Sequence, residues 1–124
     1  MAEQTCACAG SSVLVFPCSG GSNVGQIANA AAVELARQGV AKMYCLAGVA
    51  AHIPGMVDSA GGAELRIAID GCGVACARKA LEHAGISVDH AVVVTELGIA
   101  KSYAMDWSPE HVRQVASASL PPRT

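Results

Sequence analysis

Six cysteines are spread along 124 residues, and Cys18, Cys45, Cys72 and Cys76 lie in stretches with strand or helix patterning. Thiolates ligate soft and borderline metal ions, and they act as nucleophiles in redox and sulfur-transfer chemistry. A closed zinc site takes four ligands in a tetrahedron with Zn–S near ~2.3 Å, so its sulfurs come within about 4 Å of one another. Cys72 and Cys76, at i and i+4, share one helical face or the loop leading into it. Cys18 and Cys45 stand alone, and Cys-x-x-x-Cys is a weaker signal than a pair of Cys-x-x-Cys knuckles. Spacing by itself leaves two readings open: metal ligands, or small buried side chains that do no chemistry.

The elements that must carry these thiols alternate in type. Residues 12–16 read as a buried strand ended by Pro17, followed by a small-residue turn that begins at Cys18. Val24, Ile27, Ala28, Ala31 and Leu35 recur at helical spacing. Ser22 or Asn23 can cap that helix, and Gly39 suits its exit. Residues 41–46 read as a second strand with Cys45 near its end. Residues 48–60 are small and apolar and broken by Pro54-Gly55, which predicts a loop with a short helix. A third strand is expected over 64–70, closed by Gly71-Cys72-Gly73, then a helix over 74–83 stopped at Gly85. A fourth strand is expected over 89–95, and a last helix starts with Ser108 as cap and Pro109 at its first position. Residues 1–11 read as a flexible tail and 12–124 as one α/β domain.

This alternation implies parallel pairing and right-handed crossovers. The expected fold is an open, mainly parallel four-stranded sheet of Rossmann or flavodoxin-like type. It is a three-layer sandwich with strand order 2-1-3-4 and helices on both faces. In such sheets the C-terminal strand ends share one edge, where ligands bind at the switch point. With strand one between strands two and three, Cys18, Cys45, Cys72 and Cys76 converge there. The helix N-termini after Cys18 and Cys72 point positive dipole ends at the same region, which favours thiolate. Loop amides around Gly20, Gly21 and Gly73 are placed to stabilise an anionic four-thiolate site.

Composition narrows the function classes. Hydrophobic residues make up 52% of the chain against 15% charged, with one Trp, one Phe and two Tyr. Such a core is built from small aliphatic side chains and suits close helix-on-sheet packing, and its burial opposes disorder. The formal net charge is −2 with Lys and Arg scattered singly, which argues against nucleic-acid binding, since that depends on clustered cations. No apolar run approaches the ~18 residues of a membrane span. The first eleven residues carry no Lys or Arg and no long apolar run, so no secretory signal is expected and the cytoplasm is the expected location. There the cysteines are expected as reduced thiols rather than a disulfide framework.

Asp70-Gly71-Cys72, then Cys76-Ala77-Arg78-Lys79, with Thr95-Glu96-Leu97-Gly98-Ile99 downstream, resembles the DGC-domain family of zinc-binding proteins. Pro17-Cys18-Ser19-Gly20, and Ala47-Gly48 before His52-Ile53-Pro54-Gly55, fit the same pattern. The likeness covers roughly residues 12–118. The family is named for its central Asp-Gly-Cys motif and marked by four potentially chelating cysteines. The resemblance implies zinc binding by Cys18, Cys45, Cys72 and Cys76 and implies no reaction. Iron or an Fe–S cluster uses the same type of ligand and is the alternative cofactor. Cys6-x-Cys8 lies outside the pattern, and these two read as tail thiols, or else as an arm delivering thiolates to the metal or a partner.

Other residues carry less. His52 is a loop histidine, facing solvent or serving as ligand or proton carrier. His83 lies two helical turns past Cys76, about 10 Å along the axis and too far for the same metal. His90 and His111 have no constellation around them. Asp70 is read as accepting loop N–H bonds, in preference to a general base near metal-bound water. Glu96 is read as a solvated or capping charge. The Cys18 turn resembles that of low-molecular-weight tyrosine phosphatases and arsenate reductases. Those enzymes need an Arg six residues later, and here that residue is Val24, which argues against phosphatase chemistry. The loop amides remain able to cradle a small anion. Three functions stand: a metal-binding protein, a thiol redox or sulfur-transfer enzyme using Cys18, and an interaction module pairing with itself or a protein partner.

Overall fold

The computed structural model of the chain describes residues 12–121; the expected tail, with Cys6 and Cys8, lies outside them. The elements run β1 (Val13–Pro17), α1 (Asn23–Arg37), β2 (Lys42–Met43), α2 (Leu46–Ala50), α3 (Pro54–Gly61), β3 (Leu65–Asp70), α4 (Cys76–His83), β4 (His90–Val93) and α5 (Pro109–Ala118). A short 3-10 turn, Val94–Leu97, follows β4. The strands are parallel in the order β2-β1-β3-β4, as the alternation predicts.

Side chains alternate across a strand, and the sheet sorts its residues accordingly. Val15, Ile67 and Ile69 pack in one cluster with Val24, Ile27 and Leu35 of α1 and Val115 of α5. Leu14, Phe16 and Ala68 pack in a second cluster with Val49 of α2, Ala60 of α3 and Ala77 and Leu81 of α4. These two clusters are the two interfaces of a three-layer sandwich. Ala28, Ala31 and Ala32 are fully buried, so α1 meets the sheet through methyl groups. Phe16 meets Tyr44 edge-on, with ring centroids 5.7 Å apart.

Helix ends follow local chemistry. Ser22 Oγ accepts from the Gly25 N–H at 3.1 Å, and Ser108 Oγ accepts from the His111 N–H at 3.2 Å, each capping its helix. Gly39 leaves α1 at φ 74° and Gly85 follows α4 at φ 80°, a region that favours glycine.

Several boundaries differ from the sequence pattern. The second strand, expected over 41–46, pairs only at Lys42–Met43, both exposed. Its remainder turns into α2, with Cys45 as the N-cap residue whose Sγ accepts from the Gly48 N–H at 3.4 Å. The loop with a short helix expected over 48–60 is instead the rest of α2 and all but the last residue of α3, which Pro54 opens at a position where its missing N–H costs nothing. The fourth helix begins at Cys76 rather than 74, because Ala75 adopts a left-handed conformation with φ 57°. The fourth strand ends at Val93, two residues early, where the backbone coils into the 3-10 turn. No helix among the described residues is long and apolar enough to cross a membrane.

Candidate functional site

The Asp-Gly-Cys segment joins β3 to α4, and each of its residues has a separate task. Asp70 is 2% exposed. Its Oδ1 accepts from the Ala77 N–H at 2.6 Å and its Oδ2 from the Arg78 N–H at 3.1 Å. Those are first-turn donors of α4, whose own N-cap residue, Ala75, supplies no side-chain bond. Asp70 therefore caps the helix from outside the usual position. Both oxygens accept from backbone donors and the side chain is buried, which fits the turn-fixing role in preference to general-base work.

Gly71 is needed for close approach. A Cβ there would lie 2.8 Å from Gly25 N and 2.9 Å from the Val24 carbonyl carbon. A Cβ on Gly25 would lie 2.7 Å from Gly20 O. The Cys18 loop, the first turn of α1 and the Asp-Gly-Cys loop are thus stacked backbone on backbone. The Cys18 N–H donates to Ile69 O at 2.8 Å and the Thr95 N–H to Gly71 O at 3.2 Å, locking the same edge.

On this base, Cys18, Cys72 and Cys76 line one cleft of about 170 Å³, together with Gly20, Gly21 and Lys101. Cys18 and Cys72 are half-buried, Cys45 and Cys76 are exposed, and all four are free thiols. Cys18 Sγ accepts from the Gly20 N–H at 3.3 Å. Cys45 is not part of the cleft lining; it heads α2 at the end of the neighbouring strand. Three of the four cysteines singled out from the sequence are brought together, and the fourth stands apart. Among the described residues no group of three or more His, Cys, Asp or Glu side chains is close enough to hold a metal ion. The donor chemistry fits zinc or iron, whereas a closed site needs the thiols drawn together from these positions.

A segment after β4 completes the cleft. Asn23, 8% exposed, donates from Nδ2 to Ala100 O at 2.9 Å, and its Oδ1 accepts from the Ser102 N–H at 2.6 Å. Its own N–H donates to Ser102 O at 2.9 Å. These bonds strap residues 100–102 to the start of α1. Lys101 Nζ then lies 3.6 Å from Cys72 Sγ and 5.4 Å from the centre of the Tyr103 ring. The Lys101 ammonium is held above the ordinary lysine pKa, first by the Tyr103 side chain and next by the Cys72 sulfur. Sequence reasoning missed Lys101, Tyr103 and the strapping role of Asn23. The available signal was position: the segment leaves β4 at the same sheet edge as the cysteines.

The remaining candidates lie elsewhere. His52 Nε2 sits 3.0 Å from His83 Nδ1, both residues exposed. His90 Nε2 lies 3.1 Å from Ala118 O. Glu96 is exposed in the first turn of the 3-10 segment, a solvated charge. Val24, at the place of a phosphatase arginine, is fully buried in the core.

A family model, that of the DGC domain, matches residues 14–119, a span that includes the Asp-Gly-Cys turn and all four cysteines of this edge. The chain belongs to the DGC-domain family. It is 37% identical over 93 residues to the anaerobic and virulence modulator AnvM of Pseudomonas aeruginosa, a match covering 75% of this chain and 71% of that protein. No solved structure matches the chain.

Proposed function

We propose that this protein binds a metal ion, zinc in the first instance, through Cys18, Cys45, Cys72 and Cys76 at the C-terminal edge of the sheet. The observation that carries the reading is the convergence of Cys18, Cys72 and Cys76 on one cleft. Cys45 supplies the fourth thiolate from the adjoining strand end by leaving its contact with the Gly48 amide. Four thiolates close the coordination sphere, which leaves no position for a metal-bound water. The site then stabilises the edge, stores the ion or senses its loss, and metal uptake draws the thiols together. Free cysteines on an exposed edge fit a reducing, cytoplasmic setting. The name of the Pseudomonas relative, a modulator tied to anaerobic life, suits a thiolate centre that responds to redox conditions.

The test is elemental analysis with an absorption spectrum on protein purified without tags or chelators. About one colourless zinc per chain, lost in Cys72→Ser and Cys76→Ser, is expected. Full zinc in both variants overturns the reading, and a brown chromophore with iron and sulfide moves it to an Fe–S protein.

A second reading, a thiol redox or sulfur-transfer enzyme, is favoured by one observation. The Lys101 ammonium 3.6 Å from Cys72 Sγ is an ion-pair partner for a thiolate. That contact makes Cys72, rather than Cys18, the reactive thiol, with Cys76 or Cys18 as the resolving partner in the same cleft. Its signature is metal-free protein in which Cys72 alkylates far faster than Cys76; equal rates would remove it.

A further inference from the structure

His52 and His83 form a second constellation away from the cysteine cleft. His83 is the last residue of α4, two turns from Cys76 and so about 10 Å along the helix from the cleft. His52 follows α2. Its Nε2 lies 3.0 Å from His83 Nδ1, and the rings stand at 82° with centroids 5.0 Å apart. Two imidazole nitrogens bound to one tetrahedral ion at ~2.0–2.1 Å lie about 3.3 Å apart, so the pair needs only a small opening to admit one.

The pair is held by the packing beneath it. Val49 of α2 and Ala77 and Leu81 of α4 are fully buried in one cluster, so the two helix ends have fixed positions. The backbone at His52 is equally specific. The Ile53 N–H donates to Gly48 O at 3.1 Å and the His52 N–H to Val49 O at 2.9 Å, the two bonds of a Schellman motif. His52 occupies its left-handed position at φ 59°, where glycine is the usual residue. A histidine in that position, aimed at a second histidine, puts two ligating nitrogens on one point of the surface.

We infer that His52 and His83 form a separate, open binding site for a divalent first-row ion such as Zn²⁺, Ni²⁺ or Cu²⁺. The donors are His52 Nε2 and His83 Nδ1. Neutral imidazoles suit these borderline ions and not the hard ions Mg²⁺ or Ca²⁺. For both lone pairs to face the ion, His52 must carry its proton on Nδ1 and His83 on Nε2. The imidazole that donates in the shared hydrogen bond therefore moves that proton to its other ring nitrogen by exchange with water; the hydrogen bond is lost and no net proton is released. Among the described residues no third His, Cys, Asp or Glu is grouped with the pair, so the other coordination positions are open to water or an incoming donor.

The probe is zinc chloride titrated into the full chain, read by the imidazole ¹⁵N resonances of its four histidines. Expected are shifts at His52 Nε2 and His83 Nδ1, with His90 and His111 unmoved, and loss of the His83 response in His52→Ala. Responses at His52 and His83 no larger than at His111 would overturn the site, as would an unchanged His83 response in His52→Ala. Cysteine ¹³Cβ shifts in the same titration report the thiolate site independently, so failure of one site is distinguishable from failure of the other. Titration of His83→Asn supplies a second variant, in which His52 is expected to stop responding.

Discussion

Replacing Asp70 by alanine removes both oxygens that receive the first-turn N–H groups of α4. The two bonds, at 2.6 Å to Ala77 and 3.1 Å to Arg78, are charge-assisted, a class worth roughly 1.5–3 kcal/mol each. They are not lost equally. Ala77 is fully buried, so its N–H finds no water and suffers the desolvation cost of an unpaired donor, about 1–3 kcal/mol. Arg78 is exposed, so water replaces its partner at small cost. Removing a buried carboxylate also relieves its own desolvation, which offsets part of the loss. The expected net destabilisation is about 2–4 kcal/mol, a large share of the ~5–15 kcal/mol typical of a domain. Asp70→Asn keeps one acceptor and is expected to fall near half that value. Equilibrium urea unfolding followed by far-UV circular dichroism measures both, with an unchanged slope against denaturant showing that the folded surface is the same. A midpoint for Asp70→Ala within the equivalent of ~0.5 kcal/mol of the parent, the scatter of ordinary surface substitutions, would refute the capping argument.

Three further substitutions probe the same edge and its neighbour. Gly71→Ala places a Cβ 2.8 Å from Gly25 N; rigid backbone cannot rotate away, so a loss of about 1–3 kcal/mol is expected in the same urea assay. Lys101→Met removes the ammonium beside Cys72 Sγ and is expected to slow alkylation of Cys72 several-fold relative to Cys76, read by peptide mass spectrometry. His52→Gly relieves the left-handed strain at φ 59° that His52→Ala retains, so the glycine variant is expected to be more stable than the alanine variant by about 1 kcal/mol. For a domain of this size that is a difference of roughly 3–5 °C in Tm by thermal unfolding.

The sheet order was legible because short apolar runs alternate with segments of helical spacing. Val13-Leu14-Val15-Phe16 splits between the two faces, and Val24, Ile27, Ala31 and Leu35 lie on the buried side of α1. The caps at Ser22 and Ser108 and the exits at Gly39 and Gly85 were legible for the same reason: each is a local backbone requirement met by one residue type. What escaped was set by distant partners. Lys101 reaches Cys72 because Asn23, 79 positions from Ser102, holds the intervening strap. His52 and His83 are 31 positions apart and meet because α2 and α4 share a core. Residues 41–46 are apolar enough for a longer strand, yet only Lys42–Met43 find a register with β1, so Cys45 follows the strand end as the N-cap of α2 instead of lying within the strand.

The Asp-Gly-Cys motif divides fold from chemistry within three residues. Asp70 fixes where α4 begins and therefore where Cys76 stands; Gly71 lets the first turn of α1 pass close enough to bring Cys18 alongside; Cys72 touches neither contact and faces the cleft beside Lys101. Because the thiol of Cys72 is only half-buried, Cys72→Ser exchanges sulfur for oxygen without opening a cavity or unpairing a buried donor, the mechanisms behind large losses. In metal-free protein its urea midpoint is therefore expected to match the parent, while Asp70→Ala and Gly71→Ala fall. In metal-loaded protein the parent gains stability from its ligand by mass action, and Cys72→Ser is expected not to share that gain. A Cys72→Ser variant destabilised equally with and without metal would mean that the sulfur serves packing rather than ligation, and the cleft would lose its claim to chemistry.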